Sequence, residues 1–157
     1  MKKWIWIGSL FVVMIIFFCV HTYVQAMKPY NTAKEEAVAI ATDKADLESV
    51  SKFSIYNGKK TYYIVEGENT KNQSIVVWIE EKSKKITTKQ TKNGITKEEA
   101  INILLSEQSP EEVNSVRLGM YDDLPVWEIY SYTNNDSINY HYIDFQTGEI
   151  LLTIENY

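Results

Sequence analysis

The hydrophobic pattern begins with one long apolar segment and then changes to short alternating runs. Residues 4–20 are apolar except for Gly8 and Ser9, and the segment can extend to Val24. At about 1.5 Å per residue, a helix over residues 4–24 would measure about 31 Å, close to the hydrocarbon thickness of a bilayer. A helix in a soluble core would carry a polar stripe, which is missing here. The pattern therefore predicts a transmembrane helix over residues 4–24.

The charges around this segment predict its orientation. Lys2 and Lys3 precede it, so the preference for positive charge on the inner side keeps a tail of residues 1–3 in the cytoplasm. Lys28 and Lys34 oppose this, but so short a tail is not readily translocated. We expect a single-pass cell-membrane protein whose C-terminal region is extracytoplasmic. Cleavage after Ala26 would instead release a soluble protein, although the apolar run exceeds a usual signal core and favours an uncleaved anchor.

Cysteine usage limits the chemistry of the chain. A lipoprotein would need a small residue before Cys19, and Phe18 stands there, so we interpret Cys19 as a lipid-facing thiol. No other cysteine occurs in the sequence. The region after the anchor therefore has no disulfide and no thiolate metal site, and it must fold on its hydrophobic core alone.

An internal repeat is the most informative feature. Residues 34–38 read Lys-Glu-Glu-Ala-Val and recur at residues 97–101 as Lys-Glu-Glu-Ala-Ile. Three further segments correspond at nearly the same spacing: 63–65 with 127–129, 78–80 with 142–144, and 82–86 with 146–150. Such a period predicts two copies of one structural unit.

Each copy opens with a helix signal. Thr32 with Glu35, and Thr96 with Glu99, have the spacing of capping boxes, in which each side chain bonds the other residue's amide. Pro29 predicts a break between the membrane helix and the first of these helices. One-sided apolar stripes are expected at Val38, Ile40 and Ala41 in the first copy, and at Ile101, Leu104 and Leu105 in the second.

Alternating runs after each helix predict four strands per copy. They are Val50–Tyr56, Thr61–Glu66, Ser74–Glu80 and Ile86–Lys89, then Asn114–Met120, Pro125–Tyr132, Ile138–Phe145 and Ile150–Ile154. Turns are expected at residues 57–58, 122–123, 134–136 and 147–148, and a linker at Thr88–Asn93. The predicted fold class is α+β. After the transmembrane helix come two units, residues 30–89 and 95–157, each with one helix packed on a small antiparallel sheet.

The motifs resemble a known family. A helix opening with Lys-Glu-Glu-Ala and a final run Tyr142–Ile150, Tyr-Ile-Asp-Phe-Gln-Thr-Gly-Glu-Ile, resemble the PepSY domain. The short lysine tail, the anchor and two such units are together similar to the YpmB/TseB-like proteins of Gram-positive bacteria, over essentially the whole chain. Lys84 occupies the place of the family's glycine in the first copy. The resemblance implies a factor of the cell-wall elongation machinery that acts through a penicillin-binding protein.

Few residues outside the anchor are typical of catalysis. His141 is the one histidine there, at a strand position matched by Val77, which favours a packed residue over a base. One histidine without cysteine does not make a zinc site. A glycosidase would use a pair of carboxylates, and the second copy has five candidates. Asp122, Asp123 and Asp136 are predicted to lie in turns, where aspartate is favoured for backbone reasons. Asp144 ends a predicted strand, and Glu128 lies within a predicted strand. We expect no enzyme, no cofactor and no metal.

Strand parity predicts an unusual second face on each sheet. Residues 63, 65, 75, 77 and 79, with 127, 129 and 143, should face the helices. The opposite face is also rich in apolar and aromatic residues. Either these faces pack on each other, or they form a platform for a partner protein. The candidate partner-binding residues are Tyr130, Tyr132, Tyr140, Tyr142, Trp78 and Tyr62.

The charge distribution differs between the copies. Residues 27–93 hold 12 basic and 9 acidic residues, whereas residues 94–157 hold 2 basic and 12 acidic. The acidic balance argues against nucleic acid as a partner. We interpret the chain as an extracytoplasmic protein-binding module, anchored in membrane lipid through residues 4–24. The alternative function is inhibition of a secreted or membrane protease, a role associated with PepSY domains. The third hypothesis is an enzyme that hydrolyses the cell wall.

Overall fold

The computed structural model describes residues 2–108, 110–132 and 137–155, which form two helices, one 3-10 turn and eight strands. In chain order these are α1 (Lys2–Ala45), β1 (Leu47–Asn57), β2 (Thr61–Asn69), β3 (Ser74–Glu80), β4 (Ile86–Gln90), a 3-10 turn (Thr91–Asn93), α2 (Lys97–Gln108), β5 (Glu112–Tyr121), β6 (Leu124–Tyr132), β7 (Ile138–Asp144) and β8 (Ile150–Glu155). The chain divides into two compact units, residues 1–36 and 37–157.

Helix α1 is continuous through Pro29, so the predicted break at this residue and the predicted N-cap at Thr32 are wrong. Proline removes one helical hydrogen bond and crowds a carbonyl of the preceding turn, but its φ near −65° is itself helical. Helix-forming sequence on both sides keeps the element intact. Within the described residues, this is the one helix long and apolar enough to cross a membrane.

Residues 37–157 contain two four-stranded antiparallel sheets, one formed by β1–β4 and the other by β5–β8. In each sheet the strands follow one another in chain order, joined by hairpins. All eight predicted strands are present, with bounds that differ by at most three residues. The predicted linker is partly wrong, since Thr88–Gln90 pair with β3 and the connection begins at Thr91. The predicted turn at residues 134–136 lies outside the described residues.

The turn before the last strand has the same geometry in both sheets. Lys84 and Gly148 are both left-handed, with φ of 56° and 77°. The Lys84 amide donates to the Glu80 carbonyl at 2.9 Å, and the Gly148 amide donates to Asp144 at 3.0 Å. Lysine therefore adopts the conformation that glycine accepts at lower cost. The first copy keeps the turn despite the substitution.

Matching helix positions are buried in the two copies. Ala37 and Ala100, the alanines of the repeated motif, have no exposed surface, and neither do Ala41 and Leu104 one turn later. The predicted stripe of α2 is corrected at Leu105, which is 45% exposed.

In α2 the buried side chains are Ala100 and Leu104, with Ile103 partly buried; they pack on Ile129 and Ile143 of the second sheet. The capping box at the start of α2 is confirmed. The Thr96 amide donates to Glu99 Oε2 at 2.7 Å and the Glu99 amide donates to Thr96 Oγ1 at 3.1 Å.

A second core joins the two sheets. The first copy contributes side chains from the face of its sheet that has no helix, and the second copy contributes three side chains. The residues are Tyr56, Tyr62, Ile64, Val76 and Trp78 from the first copy, and Leu118, Met120 and Phe145 from the second. Trp127 is partly buried against this core. The ring of Phe145 meets Trp78 edge to face with centroids 5.4 Å apart. The two copies therefore share one hydrophobic core and are not independent domains.

Gly119 allows the closest approach within this core. A Cβ added to Gly119 would lie 2.7 Å from Cε2 of Tyr56, whose ring is buried. We expect Gly119→Ala to lower the free energy of unfolding by about 1–3 kcal/mol, because an overpacked core must shift. Urea unfolding of the detergent-solubilised chain, followed by tryptophan fluorescence, measures this. Ser115→Ala, at an exposed position of the same strand, is the control, and equal stability of the two variants would contradict the packing.

Candidate protein-binding surface and cleft

Two of the six predicted partner-binding residues lie inside the protein. Trp78 has no exposed surface and Tyr62 is 6% exposed, and both belong to the core between the sheets. Trp78 is therefore unable to present a ring to a partner, and this assignment is corrected, whereas Tyr62 is largely buried but lines the cleft described below. The alternation of side chains along the strands correctly assigned residues to the two faces of the first sheet. The face that was expected to be open is covered by the second sheet.

Three tyrosines of the second sheet form a partly exposed cluster. Tyr130 lies opposite Tyr140 on the neighbouring strand, with ring centroids 5.4 Å apart, and its other neighbour Tyr132 is at 5.3 Å. The Tyr130 hydroxyl donates to that of Tyr132 at 3.2 Å, which raises the pKa of Tyr130 to about 12. Neutral phenols that combine ring surface and a polar tip are common at interfaces. We call Tyr130, Tyr132 and Tyr140 the tyrosine surface.

Tyr142, the sixth predicted residue, has a different environment. Its ring stacks on Tyr121 with centroids 5.1 Å apart, and it lies directly opposite Glu128 on the neighbouring strand. Burial and the nearby Glu128 carboxylate raise the pKa of Tyr142. Its side chain is only partly exposed, and one face of the ring is used within the protein.

Beneath Tyr142, a buried carboxylate connects the two copies. Glu128 is 4% exposed, and its Oε2 accepts from the Tyr56 hydroxyl of the first sheet at 2.7 Å. Its Oε1 accepts from Arg117 Nε at 2.7 Å and is also ion-paired with Arg117 Nη2. Burial and this hydrogen bond raise the pKa of Tyr56, so its hydroxyl remains a donor. A charge removed from water requires such partners.

Sequence reasoning named Glu128 but missed its partners, although a signal was present. Arg117 is the one arginine of the chain. Residues 117 and 128 are equally distant from the two-residue turn Asp122–Asp123, so a hairpin places them opposite each other. Both turn residues have positive φ, 46° and 64°, as in the tight turns that match strand twist. Tyr56 could not be found this way, since it comes from the other copy.

A cleft of about 340 Å³ lies where the β1–β2 and β5–β6 hairpins meet. We call it the hairpin cleft. Its lining is mainly apolar and aromatic, and it includes Tyr56, Met120, Tyr121, Tyr142, Leu152 and Ile154. The two hairpin tips add Lys59, Lys60, Asp122 and Asp123. A concave, largely apolar site with a few polar groups is typical of binding pockets.

The charged groups at the cleft are paired across the two tips. Lys59 Nζ lies 2.9 Å from Asp122 Oδ1, and Lys60 Nζ lies 3.6 Å from Asp123 Oδ1 and 3.1 Å from Glu80 Oε2. The bond to Asp122 raises the pKa of Lys59, and the bond to Glu80 raises that of Lys60. The ion pairs are solvent-exposed, so each contributes little to stability.

The prediction that His141 is a packed residue is confirmed. It is 1% exposed; its Nε2 lies 2.9 Å from Ser131 Oγ and its Nδ1 lies 3.1 Å from Thr153 Oγ1. Burial lowers the pKa of His141. Ser131 and His141 are neighbours, but both are buried. The second nitrogen of His141 faces the hydroxyl of Thr153, whereas in a catalytic triad it would face a carboxylate. This arrangement differs from that of an activated nucleophile.

The carboxylate of Asp144 has structural partners within its turn. Asp144 Oδ1 accepts from the amides of Gln146 and Thr147 at 2.8 and 2.7 Å, which shapes the last turn. Asp136 lies outside the described residues. Among the described positions, no three His, Cys, Asp or Glu side chains lie close enough to hold a metal ion.

The features together define a class of protein. An apolar helix that could span a membrane precedes a duplicated α+β region, in which two four-stranded antiparallel sheets share a core. Residues 36–80 match the family described as "Cell wall elongation regulator TseB-like domain", and residues 94–153 match "Peptidase propeptide and YPEB domain".

Comparison with individual proteins gives the family. The chain is 31% identical over 133 residues to "Probable cell wall elongation regulator TseB" of Bacillus subtilis, covering 84% of this chain and 83% of that protein. It is similar to the solved structure "YpmB protein from Bacillus subtilis" with a TM-score of 0.74 and 31% identity, over 77% of this chain and 95% of that one. The chain belongs to the TseB-like family of cell wall elongation regulators.

The buried Glu128 predicts a specific effect at Tyr56. We expect Tyr56→Phe to lower the free energy of unfolding by about 1–3 kcal/mol, because the carboxylate loses a donor that water does not replace. Tyr62→Phe is the matched control, since its hydroxyl makes only a 3.4 Å contact with Asp123. Urea unfolding of the full chain compares them. Equal losses would mean that the Tyr56 hydroxyl has no special role.

The lowered pKa of His141 predicts a pH dependence. The unfolded chain binds a proton on this imidazole more readily than the folded one, so stability falls as pH drops below about 6.5. His141→Gln, which does not titrate, should show a smaller loss between pH 7 and 5. Midpoints of urea unfolding for both proteins measure the difference. Parallel pH profiles would contradict a buried, neutral histidine.

Proposed function

We propose that this protein is a membrane-anchored regulator of cell-wall elongation that acts by binding a penicillin-binding protein through the tyrosine surface. Membership of the TseB-like family supports the regulatory role. The contact with a penicillin-binding protein is what the family resemblance implies. The observation that carries the location of the contact is the partly exposed cluster of Tyr130, Tyr132 and Tyr140.

The proposed topology follows from the sequence. Residues 1–3 form a cytoplasmic tail, residues 4–24 span the membrane, and two PepSY-like units over residues 30–89 and 95–157 lie outside the cell. Lys2 and Lys3 before the span support this orientation. In this arrangement the second unit is available to the extracytoplasmic domain of a membrane-bound partner.

The tyrosine surface has the properties of a contact site. Tyrosine contributes a large, rigid apolar area and loses little conformational entropy on binding. Part of the same face in the first sheet is buried in the shared core, including Tyr62, Val76 and Trp78, whereas the three tyrosines of the tyrosine surface are partly exposed. Duplication would thus have given one copy a structural role and the other a binding role.

A second candidate function has its own support. The description of the family matched by residues 94–153 includes peptidase propeptides, which favours a protease as partner. The surface would then hold a secreted or membrane protease in an inhibited state. Both candidates require a protein partner outside the cell, and they differ in its identity.

Affinity purification of the anchored full chain from a Gram-positive host tests the proposal. We expect a penicillin-binding protein to be enriched with the unmodified chain. Tyr130→Ala with Tyr132→Ala should reduce its recovery about tenfold or more, because aromatic residues dominate interface energies. The circular dichroism of this variant should remain that of the folded chain.

Leu105→Ala with Leu124→Ala provides the control, since both leucines are exposed and lie outside the tyrosine surface. This variant should recover the partner as the unmodified chain does. Enrichment of a protease in place of the synthase would favour the second candidate. Unchanged recovery with the tyrosine variant would remove the surface from the proposal.

A further inference from the structure

We infer that the hairpin cleft is an anchor pocket that receives one neutral, apolar side chain of the protein partner. This inference rests on the proposed function, because it takes the partner to be a protein bound at the second copy. It adds a second contact site and specifies its chemistry.

The paired charges at the cleft exclude a strongly ionic occupant. Each lysine of the hairpin tips already has a carboxylate partner, and each aspartate has a lysine. A ligand anion would compete with Asp122 for Lys59, and a ligand cation would compete with Lys59 for Asp122. Balanced pairs therefore favour an occupant without net charge inside the cleft.

Some of the tyrosine rings that line the cleft already have contacts within the protein. Tyr121 contacts both Lys59, whose Nζ is 5.2 Å from the ring centroid, and the stacked ring of Tyr142. Tyr56 is buried and has the Arg117 guanidinium 5.3 Å from its ring centroid. The aliphatic side chains of the lining, Met120, Leu152 and Ile154, match a hydrocarbon side chain.

Size and surroundings fit an anchor residue. At about 340 Å³ the cleft is at the lower end of ligand pockets, about 300–1,000 Å³. Binding hot spots are apolar groups that fill such pockets inside a polar ring that excludes water. The ion pairs of the two hairpin tips provide this ring, and Met120, Leu152 and Ile154 provide the apolar lining.

The hairpin cleft lies next to the tyrosine surface, which favours a side chain of the same protein partner as the group that occupies it. Ile154 lies directly opposite Tyr140 across β7 and β8, and Leu152 lies opposite Tyr142. The cleft and the tyrosine surface therefore share two neighbouring strands. A partner that covers the tyrosines reaches Ile154, which is 45% exposed, without crossing other structure.

A photo-reactive apolar amino acid, benzoylphenylalanine, placed at Ile154 of the full anchored chain tests the inference in living cells. We expect irradiation to link this position to a protein, with the attachment on an apolar side chain. The same probe at Leu105, also 45% exposed but on α2, is the control and should give no such product. Products with lipid or glycan alone at Ile154 would overturn the inference.

Charge insertion provides the second measurement. Ile154→Glu should reduce recovery of the partner about tenfold, because a carboxylate would enter an apolar contact, whereas Leu105→Glu should not. Both variants add one negative charge to the same copy. Ile154→Ser is measured as well, and a clear loss with this smaller change is expected even if the glutamate perturbs folding. Equal recovery from the Ile154 and Leu105 variants would overturn the inference.

The two proposals fail in different ways. If Ile154 links to an apolar side chain of a protein that is not a penicillin-binding protein, the anchor pocket stands and the proposed partner is wrong. If a penicillin-binding protein is recovered through the tyrosines but Ile154 gives no protein product, the proposed function stands and the anchor pocket is wrong.

Discussion

The packing of one sheet against the other is the constraint from which most features of residues 37–157 follow. The first sheet is apolar on both faces: Val65 and Val77 on one side and Ile64 and Trp78 on the other have no exposed surface. A single-layer sheet with one helix would leave one of these faces in water. The free-energy cost of this exposure would be about 25 cal/mol per Å² of apolar area. The second sheet covers it, and the core between the sheets is the result.

This packing explains several local choices. Glycine is required at positions 94 and 119, because a Cβ there would meet the rings of Phe145 and Tyr56. The Tyr56 hydroxyl reaches Glu128 only when the sheets are in contact, so the polar cluster and the apolar core form together. The hairpin cleft is a further consequence, since residues of both hairpin tips line it.

The same packing makes two similar copies unequal. In the first copy, the face without a helix is used for folding, and its aromatic residues are largely buried. In the second copy, the corresponding tyrosines are only partly covered, and the apolar lining of the cleft lies beside them. The same fold is therefore kept in both copies, but the face without a helix stabilises the protein in the first copy and is available for recognition in the second.

Where sequence reasoning was correct, the signal was local. The eight strands, the capping box at Thr96 and the turn before the last strand of the second copy follow from alternation and turn residues within a few positions. The errors arose where a local preference met a larger context. Pro29 disfavours a helix but does not end one that is stabilised on both sides, and Leu105 lies at the border of the apolar stripe on α2, where a shift of one residue changes its exposure.

The sequence by itself determined the apolar helix, the duplication, the α+β class and the order of the strands, because each depends on periodicity or on spacing along the chain. The register around the Asp122–Asp123 turn also implies that Arg117 pairs with Glu128, although sequence reasoning missed this pair. Only the tertiary structure decided which aromatic face is buried, which residues of different copies touch, and where the cleft lies. These depend on contacts between segments far apart in the chain, which no local pattern encodes.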